Sequence, residues 1–152
     1  MPWLDYITES PITDISQLDP NAIGFVYMIK YDDGTAYIGK KNLYSTIKLN
    51  ALKNGTERKG HLEFRQKNTG KGNRKTIEVV KVESDWKRYK GSHKDCKDKT
   101  YIKKYILECA YSKIQLTYLE TMYLFEYHVL ENEKFINDNI LGKFYRNQLI
   151  ND

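Results

Sequence analysis

The stretch from Gly24 to Gly39 constrains this chain more than any other. Gly24-Phe25-Val26-Tyr27-Met28-Ile29 is followed by a polar reversal, Lys30-Tyr31-Asp32-Asp33-Gly34, and then by Ala36-Tyr37-Ile38-Gly39. Two short apolar runs around an Asp- and Gly-rich turn read as a β-hairpin. Side chains alternate along a strand, so Phe25, Tyr27 and Ile29 share one face while Val26, Met28 and Lys30 share the other. In the second strand Thr35, Tyr37 and Gly39 fall together. If Tyr27 and Tyr37 lie on the same face of the pair, two phenol hydroxyls can converge on one point at the sheet surface.

With 152 residues, the chain is expected to form a single domain around one core. Charged residues make up 30% and hydrophobic ones 40%, the balance of a soluble protein with a heavily solvated surface. No apolar run approaches the roughly 18 residues that span a bilayer. The start, Met1-Pro2-Trp3-Leu4-Asp5, lacks the basic and apolar regions of a signal peptide, so a cytoplasmic location is expected. Two cysteines, Cys96 and Cys109, without Cys-x-x-Cys spacing argue against a disulfide scaffold and against structural zinc; His93 and Cys96 alone are too few ligands.

Charge is unevenly spread. Residues 40–75 hold eight Lys and three Arg against Glu57 and Glu63, a local excess of nine positive charges in a chain whose net charge is +5. Such asymmetry is the footprint of phosphate-backbone binding. This insert is rich in Gly, Asn and Lys and poor in apolar residues, which predicts a long basic loop acting as a flap over nucleic acid. Its Gly70-Lys71-Gly72-Asn73-Arg74-Lys75 run lacks the spacing of a phosphate-binding loop.

Before the hairpin, residues 1–22 read as a proline-punctuated lead-in. Beyond the insert, Thr76–Val82 is rich in β-branched residues and suits an added strand. In Asp85-Trp86-Lys87-Arg88-Tyr89-Lys90, aromatics interleave with cations, a pattern that can stack on bases while gripping phosphates; a buried Trp86 anchoring the core is the competing reading. Thr100–Ala110 fits either a helix or a strand. Ser112 with Gln115 forms a capping-box signature for a helix carried by Leu116, Leu119, Tyr123 and Leu130 to about Glu131. Glu120 borders its apolar stripe, where a carboxylate needs a partner, whereas Glu126 faces solvent. Residues 141–152 form a closing tail in which Leu141, Phe144 and Tyr145 are expected to pack with Ile140 on the domain.

The hairpin resembles the signature of the GIY-YIG nucleases: a Gly-x-[Ile/Val]-Tyr strand, a short turn and a Tyr-Ile-Gly strand. Leu119-Glu120 with Tyr123-Leu124 looks like the setting of the family's metal-binding glutamate, and Phe135-Ile136-Asn137 is similar to the Tyr-Asn that closes the family's site. Trp86 to Ser92 resembles a segment of phage-encoded members, homing endonucleases among them. The resemblance runs from residue 24 to about 140. It implies an α+β fold with a small central three-stranded antiparallel sheet flanked by helices, residues 24–39 forming the catalytic hairpin, 40–75 a basic inserted loop, and 76–140 the rest of the core, with Thr100–Ala110 as the third strand.

The resemblance further implies an endodeoxyribonuclease that hydrolyses phosphodiester bonds with Mg²⁺ or Mn²⁺ held by Glu120. Tyr27 is assigned as the base, Tyr37 orients it or contacts phosphate, and Asn137 fixes these groups. The family's arginine about ten residues after Tyr-Ile-Gly is absent, so Lys87 and Arg88 are assigned its charge. Lys40, Lys41, Arg58, Arg65, Arg74, Lys75, Trp86, Lys90 and Lys94 are the expected DNA contacts. The rival reading is a non-catalytic nucleic-acid-binding module of the same fold. The DNA sequence recognised, nicking against dimeric double-strand cleavage, and a homing, restriction, repair or degradation role are left open by the sequence.

Overall fold

The computed structural model describes residues 1–50, 63–69 and 75–149, with side chains described for all of these except 48–50, 63–69 and 75–79. The chain divides into two compact units, Met1–Asn42 with Asp85–Asp152, and Leu43–Ser84.

In the first unit, β1 (Trp3–Asp5), β2 (Pro11–Ile12), β3 (Gly24–Tyr31) and β4 (Ala36–Asn42) come from the N-terminal part of the chain. The second unit contributes β5 (Tyr44–Asn50), β6 (Glu63–Thr69) and β7 (Lys75–Glu83). The chain then returns to the first unit with β8 (Tyr101–Ala110) and α1 (Lys113–Glu126). The first unit is a five-stranded sheet in the order β2-β1-β8-β3-β4. Its centre is antiparallel as expected, with β3 paired to β4 on one side and to β8 on the other. The lead-in supplies two of these strands, β1 and β2. Its β1 runs parallel to β8 and carries Trp3, which is fully buried.

Strand alternation separates two cores. Val26, Met28 and Ile38 join Leu116, Leu119 and Leu124 of α1 on one face. Phe25, Tyr27 and Ile29 point to the other face, where Trp3 lies edge-on to Phe25 at 5.1 Å between ring centroids and Trp86 approaches Phe25 at 6.1 Å. Trp86 is fully buried, and its backbone carbonyl accepts a 2.6 Å hydrogen bond from the Trp3 indole. It is therefore a core anchor, and its ring face is not presented for base stacking.

Lys104 on β8 is 1% exposed. Its ammonium donates to the carbonyls of Tyr89 (3.0 Å) and Lys87 (3.4 Å) and lies 4.4 Å from the Trp3 ring centroid. Burial, with the Lys90 charge beside it, pulls its pKa down to about 8. Lys104→Ala deletes these contacts and leaves a void, and is expected to cost about 2–4 kcal/mol of unfolding free energy. A lowered urea midpoint at unchanged m would show it; a loss under about 0.5 kcal/mol would mean that the ammonium does not hold the 87–89 turn.

Helix α1 starts where the sequence places it, with the Ser112 hydroxyl accepting from the Gln115 amide at 3.1 Å. It stops at Glu126, earlier than its apolar repeat suggests, because His128 takes a left-handed φ of 50° and turns the chain. In the tail, only Ile140 of the expected apolar set is buried; Leu141, Phe144 and Tyr145 stay exposed. The second unit departs most from expectation. Its described residues form a three-stranded antiparallel sheet, β5-β7-β6, in place of a loop. Cross-strand pairing supplies the backbone hydrogen bonds that a Lys- and Asn-rich segment with few apolar residues would otherwise leave to solvent. No described helix is long and apolar enough to cross a membrane.

Candidate active site

Strand β4 is the last strand of its sheet, and an open edge leaves unpaired backbone groups. The segment after α1 covers this edge. The amide of Ala36 donates to the Lys134 carbonyl at 2.7 Å, and Ile136 donates back to the carbonyl of Ala36 at 2.9 Å. Asn137 then substitutes for a further strand residue: its side-chain oxygen accepts from the Ile38 amide (3.2 Å) and its amide donates to the Ile38 carbonyl (2.8 Å). Asn137 is 5% exposed and locks the backbone midway between Tyr37 and Gly39. Arg146 reinforces this arrangement, its guanidinium donating to the carbonyls of Val129, Asn132, Phe135 and Asn137.

A pocket of about 310 Å³ opens at this covered edge, lined by Tyr37, Ile38, Lys40, His93, Thr117, Glu120, Leu124, Asn137, Asp138, Asn139 and Leu141. Thr117, Glu120 and Leu124 recur at helical spacing, so one face of α1 forms a wall. Lys40 donates a 2.8 Å hydrogen bond to the Thr117 hydroxyl, one turn from Glu120. Burial raises the Glu120 pKa above the ordinary carboxylate range and the charge of Lys40 opposes that shift. The carboxylate has no hydrogen bond or ion pair among the described residues. That is the state in which a partly buried carboxylate is ready for a cation.

The tyrosines take different stations. Tyr37 lines the pocket, and burial, with Cys96 and Glu120 adding to it, pushes its phenol up to about 12 against a hydrogen bond with Ser92 that lowers it. Tyr27 is 1% exposed and lies behind Tyr37 with 6.2 Å between ring centroids. Burial drives its phenol far above the ordinary value, and the neighbouring Tyr37 and Tyr89 add to the shift. Neither phenol is acidified by the folded chain. Desolvation is the largest cause of both shifts.

Two glycines of the hairpin are required by close approach. A Cβ on Gly39 would stand 2.7 Å from Cζ of Tyr27 and 3.0 Å from the Tyr37 ring, so only glycine lets Tyr27 lie across β4 behind the pocket. A Cβ on Gly24 would meet a Leu116 methyl and the Lys41 carbonyl, both at 2.7 Å, which ties that glycine to the seating of α1.

Of the other expected site residues, Lys87 and Arg88 sit in the exposed turn after Trp86 and do not line the pocket; Lys87 pairs with Asp14 at 3.3 Å. Lys41 pairs with Asp85 at 2.6 Å and lies over the Tyr89 ring, while Lys90 and Lys94 are exposed. Arg58 and Arg74 lie outside the described residues; Arg65 and Lys75 occupy β6 and β7 of the second unit.

Two pocket groups escaped the sequence reading. Lys40, one of the general DNA contacts expected from the sequence, lines the pocket, and its position directly after Tyr-Ile-Gly is the signal for that. His93, which the sequence offers only as a metal ligand, stands 5.6 Å from the Tyr37 ring, accepts at Nδ1 from the Asp95 amide at 3.1 Å and meets Asp138 through Nε2 at 2.8 Å. That pattern fixes its proton on Nε2 and joins the 92–95 segment to the segment bearing Asn137. No group of three or more His, Cys, Asp or Glu residues able to hold a metal occurs among the described residues. A single carboxylate still suits Mg²⁺, which keeps most of its waters and binds through one or two carboxylates plus substrate phosphate.

The family model described as "Putative endonuclease segE, GIY-YIG domain" matches residues 6–148. No curated protein and no solved structure matches the chain.

Proposed function

Because the chain belongs to this GIY-YIG endonuclease family, we propose that it is a divalent-metal-dependent DNA endonuclease whose chemistry is carried at the covered edge of β4. The convergence of Tyr37, Lys40, Glu120 and Asn137 on one pocket supports this reading most directly. Phosphodiester hydrolysis needs an activated water, compensation for charge on the phosphate oxygens and help for the leaving oxygen. Glu120 would hold the divalent ion, which supplies Lewis-acid stabilisation of that charge when bound. Lys40, fixed on Thr117, contributes a positive charge from within the pocket, and so takes the part first assigned to Lys87 and Arg88. Tyr37 accepts the proton of the attacking water. Tyr27 backs it and, being buried, holds its ring in place. Asn137 keeps β4 straight through the site, and the turn bearing Lys87 and Arg88 contacts DNA outside it.

Supercoiled plasmid incubated with and without Mg²⁺ or Mn²⁺ tests the reading. Open-circle product is expected only with the ion. Full binding with no nicking in either ion would leave the chain a non-catalytic nucleic-acid-binding module, and linear product appearing at the earliest times would point to paired copies cutting both strands.

A further inference from the structure

In the 43–84 sheet, every Lys and Arg of the three strands falls on one face. In the register of β5, β7 and β6, Lys48 lies opposite Val79, Arg65 opposite Val79, Lys67 opposite Ile77 and Lys75 opposite Thr69, while Thr46 and Glu63 flank Lys81. Directly opposed residues of an antiparallel pair share a face, and alternate residues of a strand share a face. Lys48, Arg65, Lys67, Lys75 and Lys81 therefore occupy one face, with Glu63 and Glu83 at its end. The other face has Ile47, Leu49, Phe64, Val80 and Val82 together with Glu78, and no Lys or Arg on any of the three strands. Two described contacts agree with this register. The Lys81 ammonium lies 4.3 Å from the ring centroid of Tyr44, a residue of the basic face, and Val80 of the apolar face is fully buried.

A cationic segment kept soluble by its charge has no reason to place all the cations of its described strands on one side. We infer that the basic face of this sheet docks along the phosphate backbone of duplex DNA, a reading that rests on the nuclease assignment and gives the insert its task. Seven paired residues span about 23 Å and three strands about 10 Å across. Duplex DNA carries one negative charge per roughly 1.7 Å of axis, so a face of that size meets enough phosphates to engage all its cations at once. Lys48, Lys67 and Lys81 join Arg65 and Lys75 as contacts, and the unit is joined to the nuclease unit by direct chain connections at residues 42–43 and 84–85. Held in the same chain, it raises the local concentration of substrate without supplying any reacting group.

Binding of the full chain to a 30-bp duplex in chelator, with no divalent ion and therefore no turnover, tests this across a salt series. K48Q/R65Q/K67Q/K75Q is expected to reduce the slope of log K against log salt by about 3 to 4 and to weaken binding by about 10²- to 10³-fold at 0.1 M salt. K48R/K67R/K75R should keep the wild-type slope. Neutralising four exposed lysines of the first unit, K97Q/K113Q/K134Q/K143Q, should change the slope by less than about one. Equal losses from the two neutralised sets, an unchanged slope in the first, or tighter wild-type binding to duplex RNA of the same sequence would overturn the inference. Circular dichroism melts separate loss of charge from loss of fold, and the Arg variant reports on charge even where the Gln variant melts early. Failure to nick with this salt dependence intact would sink the nuclease reading and leave the docking face standing.

Discussion

Glu120→Gln is expected to lower Mg²⁺-dependent plasmid nicking by about 10²- to 10³-fold while leaving DNA binding unchanged and the thermal transition no lower than in the wild type. The substitution keeps the shape of the side chain and removes its charge. Nothing among the described residues hydrogen-bonds to or ion-pairs with this carboxylate, so the folded chain loses no partner when it becomes an amide. Burial of a charge that Lys40 only partly offsets is a cost the fold bears for another purpose; removing it should stabilise the chain slightly. Nicking rates titrated with Mg²⁺ and with Mn²⁺, alongside a calorimetric melt, give the check. A variant that cuts at the wild-type rate would remove Glu120 from the chemistry, and one that melts much earlier would make its role structural.

The second large effect is expected at Tyr37. General-base catalysis contributes about 10²- to 10⁴-fold, and Tyr37→Phe should lose a factor in that range. Its pH dependence is the sharper readout. With the phenol pushed up to about 12, the fraction able to accept a proton rises about tenfold for each unit by which the pH increases towards that value. The wild-type log rate should therefore climb by about one per unit from neutral pH into the alkaline range, and the bound ion shifts where that climb levels off without changing its sign. Tyr37→Phe should leave a small, flatter residual. A flat wild-type profile together with a mild Phe phenotype would take proton transfer away from Tyr37 and return attention to His93, whose Nε2 proton now goes to Asp138.

The arrangement also explains why the glycines and the asparagine belong to the site although none of them reacts. Gly39 makes room for Tyr27, Tyr27 supports Tyr37, and Asn137 pins the strand that carries Tyr37 and Lys40. Each acts through packing or backbone hydrogen bonds, and a change at any of them should move the pocket groups together.

Elements set by near neighbours were readable from the chain. Alternation and a Gly-containing turn specify the hairpin, and Ser112 with Gln115 specifies the start of α1, because those interactions span only a few residues. The convergence of Tyr37 and Glu120 was legible only through the family pattern, since strand and helix periods say nothing about which elements meet. Three matters needed the folded chain. Trp86 could equally be a stacking platform or a core anchor until Trp3, 83 residues away, took its carbonyl. The cation of the pocket is Lys40 because β4 is the sheet edge and α1 passes beside it, a fact of strand order that spacing does not encode. The basic insert reads as a loop because it is rich in Gly, Asn and Lys and poor in apolar residues; only the pairing of three strands in one register puts the cations of those strands on a single face.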